Sequence, residues 1–100
     1  MLIFSFLLVP VVGSAQEAAL TGTVTDATGG VLPGVSVTAV HEASGNTFVG
    51  VTDGGGIFRI PARIGTYRIT AELSGFNTVS RGGVTLQVGQ TVAINNQMAV

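Results

Sequence analysis

Residues 66–73 alternate without a break. Tyr67, Ile69, Ala71 and Leu73 are apolar, while Thr66, Arg68, Thr70 and Glu72 are polar. Successive side chains of a strand point to opposite faces, so this segment predicts a strand with one face in a core and the other in water. No stretch of the chain sustains the 3.6-residue apolar period of a helix. Residues 16–100 hold 12 Val and 12 Thr, punctuated by 14 Gly. β-branched side chains suit a pleated, half-buried surface.

The remaining segments repeat the theme at short spacing. Strands are expected over residues 20–25, with Leu20 and Val24 on one face, and over 35–42, with Val35, Val37 and Ala39 inward. A third is expected over 47–52, its inward face unassigned. A fourth runs over 57–60, with Phe58 and Ile60 inward, and ends at Pro61, which cannot donate to a ladder. A weaker strand over 76–80 leads to a turn at Arg81-Gly82-Gly83. Val84, Leu86 and Val88 then alternate inward, and Gly89-Gln90 makes a tight hairpin turn into 91–98, with Val92 and Ile94 inward. Seven or eight short strands between Gly-rich turns predict an all-β fold, a sandwich rather than a barrel. Val24-Thr25-Asp26-Ala27-Thr28-Gly29 and Val51-Thr52-Asp53-Gly54-Gly55-Gly56 share one pattern. It reads as a strand end, an Asp carboxylate accepting backbone N–H groups ahead of it, and a Gly at positive φ.

Ahead of the sandwich, residues 2–12 are apolar and uncharged, followed by the small residues Gly13-Ser14-Ala15 and the polar Gln16-Glu17. This layout predicts a secretory signal peptide over residues 1–15, cut after Ala15, with the mature domain at 16–100. The run is short of the roughly 20 apolar residues a spanning helix needs. It lacks the usual basic n-region. A buried N-terminal strand and a short uncleaved anchor are the alternatives. A small exported domain without Cys must stand on its core or on its neighbours.

Composition removes several function classes. The chain has no Cys, no Trp and no Lys, and its net charge is −1. That leaves no Cys-ligated metal site and no electrostatic footprint for nucleic acid. The single His41, at a strand end, cannot alone supply the several ligands of a zinc site. A Ser–His–Asp unit using His41 with Asp26 or Asp53 is formally open, but no Gly-x-Ser-x-Gly elbow accompanies it. Glycines 54–56 lack the Lys of a phosphate loop. Asp26 and Asp53 lack the further ligands of a calcium loop and read as turn-formers, with Gly29, Gly56, Gly65 and Gly75 as the matching turn glycines. No catalytic residue, cofactor or metal is expected. Arg59, Arg63 and Arg68 could form a small positive patch, and Phe48 and Phe76 are the aromatics that could face solvent. These five are the candidate ligand or partner surface.

The block Thr52-Asp53-Gly54-Gly55-Gly56-Ile57-Phe58-Arg59-Ile60-Pro61, then Gly65-Thr66-Tyr67-Arg68-Ile69, then Ser74-Gly75-Phe76, resembles the carboxypeptidase regulatory-like domain. Leu20–Asp26 and Leu32–Val37 are similar to that family's opening strands, so the resemblance covers about residues 19–98. It implies a seven- to eight-stranded Greek-key β-sandwich of transthyretin-like topology. A signal peptide directly before such a domain is similar to the N-terminus of Oar-like TonB-dependent receptors, where a plug and a membrane barrel follow. The implied role is a non-enzymatic, exported module, periplasmic or associated with the outer membrane, partnered by a plug or barrel domain. Residues 1–100 hold no barrel sequence, so both a fragment of a receptor and a stand-alone domain remain open. A carbohydrate-binding module and an adhesion or spacer domain are the rival readings. The missing Lys excludes the Lys–Asn cross-links of similar adhesin repeats.

Overall fold

The computed structural model of the chain describes residues 17–100, and all regular structure among them is strand. The expected leader and its cut after Ala15 lie outside the described residues. Eight strands follow in order: β1 (Glu17–Asp26), β2 (Ser36–His41), β3 (Thr47–Val51), β4 (Ile57–Arg63), β5 (Gly65–Glu72), β6 (Val79–Leu86), β7 (Thr91–Ala93) and β8 (Asn96–Met98). In the first sheet β1 is central. It pairs antiparallel with β4 on one side and parallel with β7 and β8 on the other. The second sheet has the order β3-β2-β5-β6, antiparallel throughout.

The alternation sets which faces meet. Leu20 and Val24 of β1 and Phe58, Ile60 and Ala62 of β4 pack in one core with Val37, Ala39, Tyr67, Ile69, Ala71 and Leu86 of the second sheet. Removing such side chains from water is the main stabilising term, about 1.5–3 kcal/mol for each large one. In β3 the inward residues are Phe48 and Gly50, leaving Val49 and Val51 exposed. Gly50 is required there: a Cβ would come within 2.8 Å of Ile60 Cγ1 on β4. One buried hydroxyl ties the connection into β2. Thr52 Oγ1 donates to the Leu32 carbonyl at 2.6 Å and accepts from the Val35 N–H at 2.9 Å.

The structure corrects several expectations. Pro61 does not end its strand, because β4 is the outermost strand of its sheet and the missing N–H can point away from β1. Arg81-Gly82-Gly83 is no turn but the middle of β6, where a register shift against β5 between Tyr67 and Ile69 absorbs an extra residue and Gly83 sits at φ 71°. Phe76 precedes β6 in a turn, its N–H donating to the Leu73 carbonyl. Val88, expected inward, is 59% exposed in the Gln87–Gln90 turn. That turn does not form a hairpin: the chain crosses to the other sheet and runs parallel to β1 as two three-residue strands. At the break between them the Asn95 side chain replaces a backbone acceptor, its Oδ1 taking the Thr23 N–H at 3.1 Å. Because β8 lies parallel beside the end of β1, Glu17 and Met98 stand at opposite ends of the sandwich.

Candidate functional site

The two Asp motifs fold into the same turn at the end of the sandwich where β8 finishes. Asp26 Oδ1 accepts the N–H groups of Thr28 and Gly30 and the Thr28 hydroxyl, at 2.9, 3.0 and 2.6 Å. Asp53 Oδ1 accepts the N–H groups of Gly55 and Ile57 at 2.9 and 3.0 Å. Gly29 and Gly56 occupy the left-handed positions at φ 90° and 74°. The Thr28 hydroxyl, then the backbone donors, hold the Asp26 carboxyl below the ordinary value of 3.8. A depressed carboxylate stabilises the fold above its unfolded pKa, and that contribution fades as pH falls through the lower folded value. Acid melts should therefore show the wild type losing stability below pH 3.8, with an Asp26→Asn variant flatter over the same range. Equal slopes would remove Asp26 from the acid response.

The opposite end gathers residues from four strands. Tyr67 is fully buried near the start of β5, and its hydroxyl donates to the Arg63 carbonyl at 2.8 Å across the β4–β5 corner. Burial pushes its phenol up from 10.0, against smaller opposing effects of that hydrogen bond and of the Arg63 charge. The His41 ring stands edge-on to Tyr67, centroids 5.2 Å apart, and Phe48 does the same at 6.0 Å. His41 Nδ1 accepts the Ser44 N–H at 3.2 Å and lies 2.8 Å from Ser44 Oγ. Gly65 opens β5 at φ 140° rather than occupying a turn, and a Cβ there would strike the His41 imidazole.

Of the candidate surface residues, this end collects Arg63 and Phe48, and it adds Ser44 and Asn46, which the sequence marks only as turn residues. Their only signal was position in the turn following His41. Arg59 and Arg68 do face outward, but from different sheets, so the three arginines make no single patch. Arg68 lies over Gly82, its Nη1 on the Ser80 hydroxyl at 3.3 Å. Phe48 and Phe76 are both half-buried and packed against the core, so neither stands off the surface as a stacking platform. Gly75 holds its expected turn at φ 88°. The Ser–His–Asp alternative fails on geometry, because Asp26 and Asp53 sit at the end of the sandwich away from His41. Among the described residues no three His, Asp or Glu side chains gather as metal ligands.

Together these features define a class: a two-sheet β-sandwich module whose Asp and buried Thr side chains are committed to turns and connections. The chain belongs to the carboxypeptidase regulatory-like domain family, whose model matches residues 19–99. No curated protein is similar enough to the chain to count as a relative. Among solved structures, the TIE protein of Bacillus anthracis is similar at 23% identity and a TM-score of 0.69, over 83% of this chain and 16% of that one. The minor pilin of Streptococcus agalactiae is similar at 16% identity and 0.65, over 84% and 44%. Hydroxyquinol 1,2-dioxygenase of Pseudomonas putida reaches 0.67 at 8% identity, over 89% and 58%. The chain spans less than two thirds of each of these proteins, and at such identities the likeness is one of fold.

Proposed function

We propose that the chain is a non-catalytic exported module, the periplasmic N-terminal domain of a TonB-dependent receptor-like outer-membrane protein or a fragment of one. The observation that carries this reading is the order of segments. An uncharged apolar run and the small residues 13–15 lead directly into a family domain that begins at residue 19. The sandwich supports it: with Glu17 and Met98 at opposite ends, the module suits a place in series along a longer chain. The non-catalytic part rests on the family and on the commitment of His41 to the Ser44 turn.

Expression with the native N-terminus and fractionation tests the export step. Intact mass from the periplasmic fraction should correspond to a chain beginning at Gln16, and the reading frame beyond Val100 should encode a plug and barrel. Recovery of the chain from the soluble cytoplasm with Met1 still attached would refute the proposal.

A further inference from the structure

A strand at the edge of a sheet carries a row of unpaired N–H and C=O groups, and folds blunt such an edge with charge, proline, a bulge or shortness. Three of the four sheet edges here are blunted in that way. β4 carries Arg59, Pro61 and Arg63, β6 carries Arg81 and the bulge, and β7 and β8 have three residues each. β3 is the exception: Thr47-Phe48-Val49-Gly50-Val51 has no charge, no proline and no register shift against β2. Two bonds just beyond the ends of that register fix which of its groups are used. The His41 N–H donates to the Asn46 carbonyl at 2.8 Å, and the Thr52 N–H to the Val35 carbonyl at 3.0 Å. Antiparallel pairing alternates, so Phe48 and Gly50 turn their backbone groups to β2, and Thr47, Val49 and Val51 turn theirs outward. Those outward groups have no partner among the described residues. β4 lies beneath this edge rather than beside it, with the Arg59 carbonyl 3.4 Å from where a Gly50 Cβ would stand. The side chains of Val49 and Val51 are 62% and 58% exposed.

We propose that β3 pairs antiparallel with β3 of a second copy of this chain, about a two-fold axis at Val49, joining the two four-stranded sheets into one. The outward groups are symmetric about residue 49. This register therefore sets Val49 against Val49 and Thr47 against Val51, with about six new backbone hydrogen bonds. Charge favours a second copy in this orientation. Arg63, the last residue of β4, stands at the Thr47 end of the edge, where it lines one hollow with Asn46 and Phe48. Asp53 stands just past Val51 at the other end. An antiparallel pair brings the Arg63 end of each copy onto the Asp53 end of the other, within about two residues along the strands, or roughly 7 Å. Asp53 engages its own turn through Oδ1, which leaves Oδ2 for a cation. Arg59, beneath Gly50 and near the axis, faces the outer side of the first sheet beside Ala19, Pro61 and Thr91, so the two copies of it do not meet. The pairing does not rest on the receptor-domain reading and survives if that reading fails.

Sedimentation of the chain from residue 16 on, which holds the whole described core, should show the mass rising from one to two chains with concentration. Added salt should weaken the dimer. Val49→Lys sets two ammonium groups against each other on the axis and should weaken it at least about tenfold. Arg63→Glu keeps the backbone carbonyl that Tyr67 uses and should weaken it about threefold. Thr85→Lys, on the β6 edge, should leave it unchanged. All three positions are exposed, so circular dichroism of the variants should match the wild type. The chain has no Cys, so Val49→Cys places a single thiol at the axis, where facing Cα atoms about 5.5 Å apart suit a disulfide. Diamide should link that variant into a dimer and leave Val88→Cys, exposed in a turn, a monomer. A chain monomeric up to about 1 mM would overturn the proposal and leave the edge to a strand of another protein. Equal losses for Val49→Lys and Thr85→Lys, an association strengthened by salt or by Arg63→Glu, or linkage of Val88→Cys in place of Val49→Cys would each overturn it as well.

Discussion

Replacing Tyr67 with alanine should leave the domain largely unfolded at physiological temperature, while Arg68→Ala, one residue on, should change stability by under about 0.5 kcal/mol. Tyr67 is fully buried, touches His41 and Phe48 edge-on, and closes the β4–β5 corner through its hydroxyl. Losing a buried aromatic costs about 3–5 kcal/mol. A domain of this size has about 5–10 kcal/mol in all. Arg68 points out of the opposite face of the same strand, so its loss removes a long contact to Ser80 and the exposed cover over Gly82. Denaturant melts of the two variants decide the matter, and equal losses would overturn the register of β5. Tyr67→Phe separates ring from hydroxyl and should cost about 1 kcal/mol. The hydroxyl also has an alkaline signature. Its folded pKa lies above 10.0, so the fold should lose stability as pH rises past that value, and Tyr67→Phe should remove that slope. With one Tyr and no Lys or Cys in the chain, absorbance titration of the phenol reads this group alone.

Gly22→Ala should cost about 3 kcal/mol, at the upper end for overpacking a core. Gly22 faces inward between the fully buried Leu20 and Val24. An added Cβ would fall on the Ile94 carbonyl oxygen and come within 2.9 Å of the Phe58 ring. Ile94 cannot retreat cheaply, because its own N–H is bound to the Thr21 carbonyl at 2.7 Å. The methyl would push β7 and β8 off β1 and loosen Ile94 and Met98 from the core. Gly54→Ala is the control: a Cβ there meets nothing within 4 Å, so the change should stay within about 0.5 kcal/mol. If both variants melt alike, the C-terminal strands do not seat on Gly22 as described.

The residues inside β1, β2, β4 and β5 were legible because alternation is a local property. Tyr67, Ile69 and Ala71 could be turned inward, and Arg59 and Arg68 outward, from period 2 alone. The paired Asp turns were legible for the same reason, since an Asp bonds to N–H groups two and four residues ahead and its Gly takes the left-handed position. The aromatic pocket was not legible. His41, Phe48, Arg63 and Tyr67 come from four strands, and nothing in their spacing says that they meet.

By itself, then, the sequence determined the all-β character, the inward faces of β1, β2, β4 and β5, and the chemistry of the tight turns, all set by neighbours within a few residues. The tertiary structure decided which strands pair. It carried β4 through Pro61, because an edge strand needs no N–H on its outer side. It joined Val79 to Leu86 into one bulged strand. It sent residues 91–98 across to lie parallel to β1, where Ile94 and Met98 are buried. It also set Arg59 and Arg68 on separate sheets. The physical reason is that a strand's partner is chosen by burial and hydrogen bonding between segments far apart in the chain, and a local pattern carries no record of them.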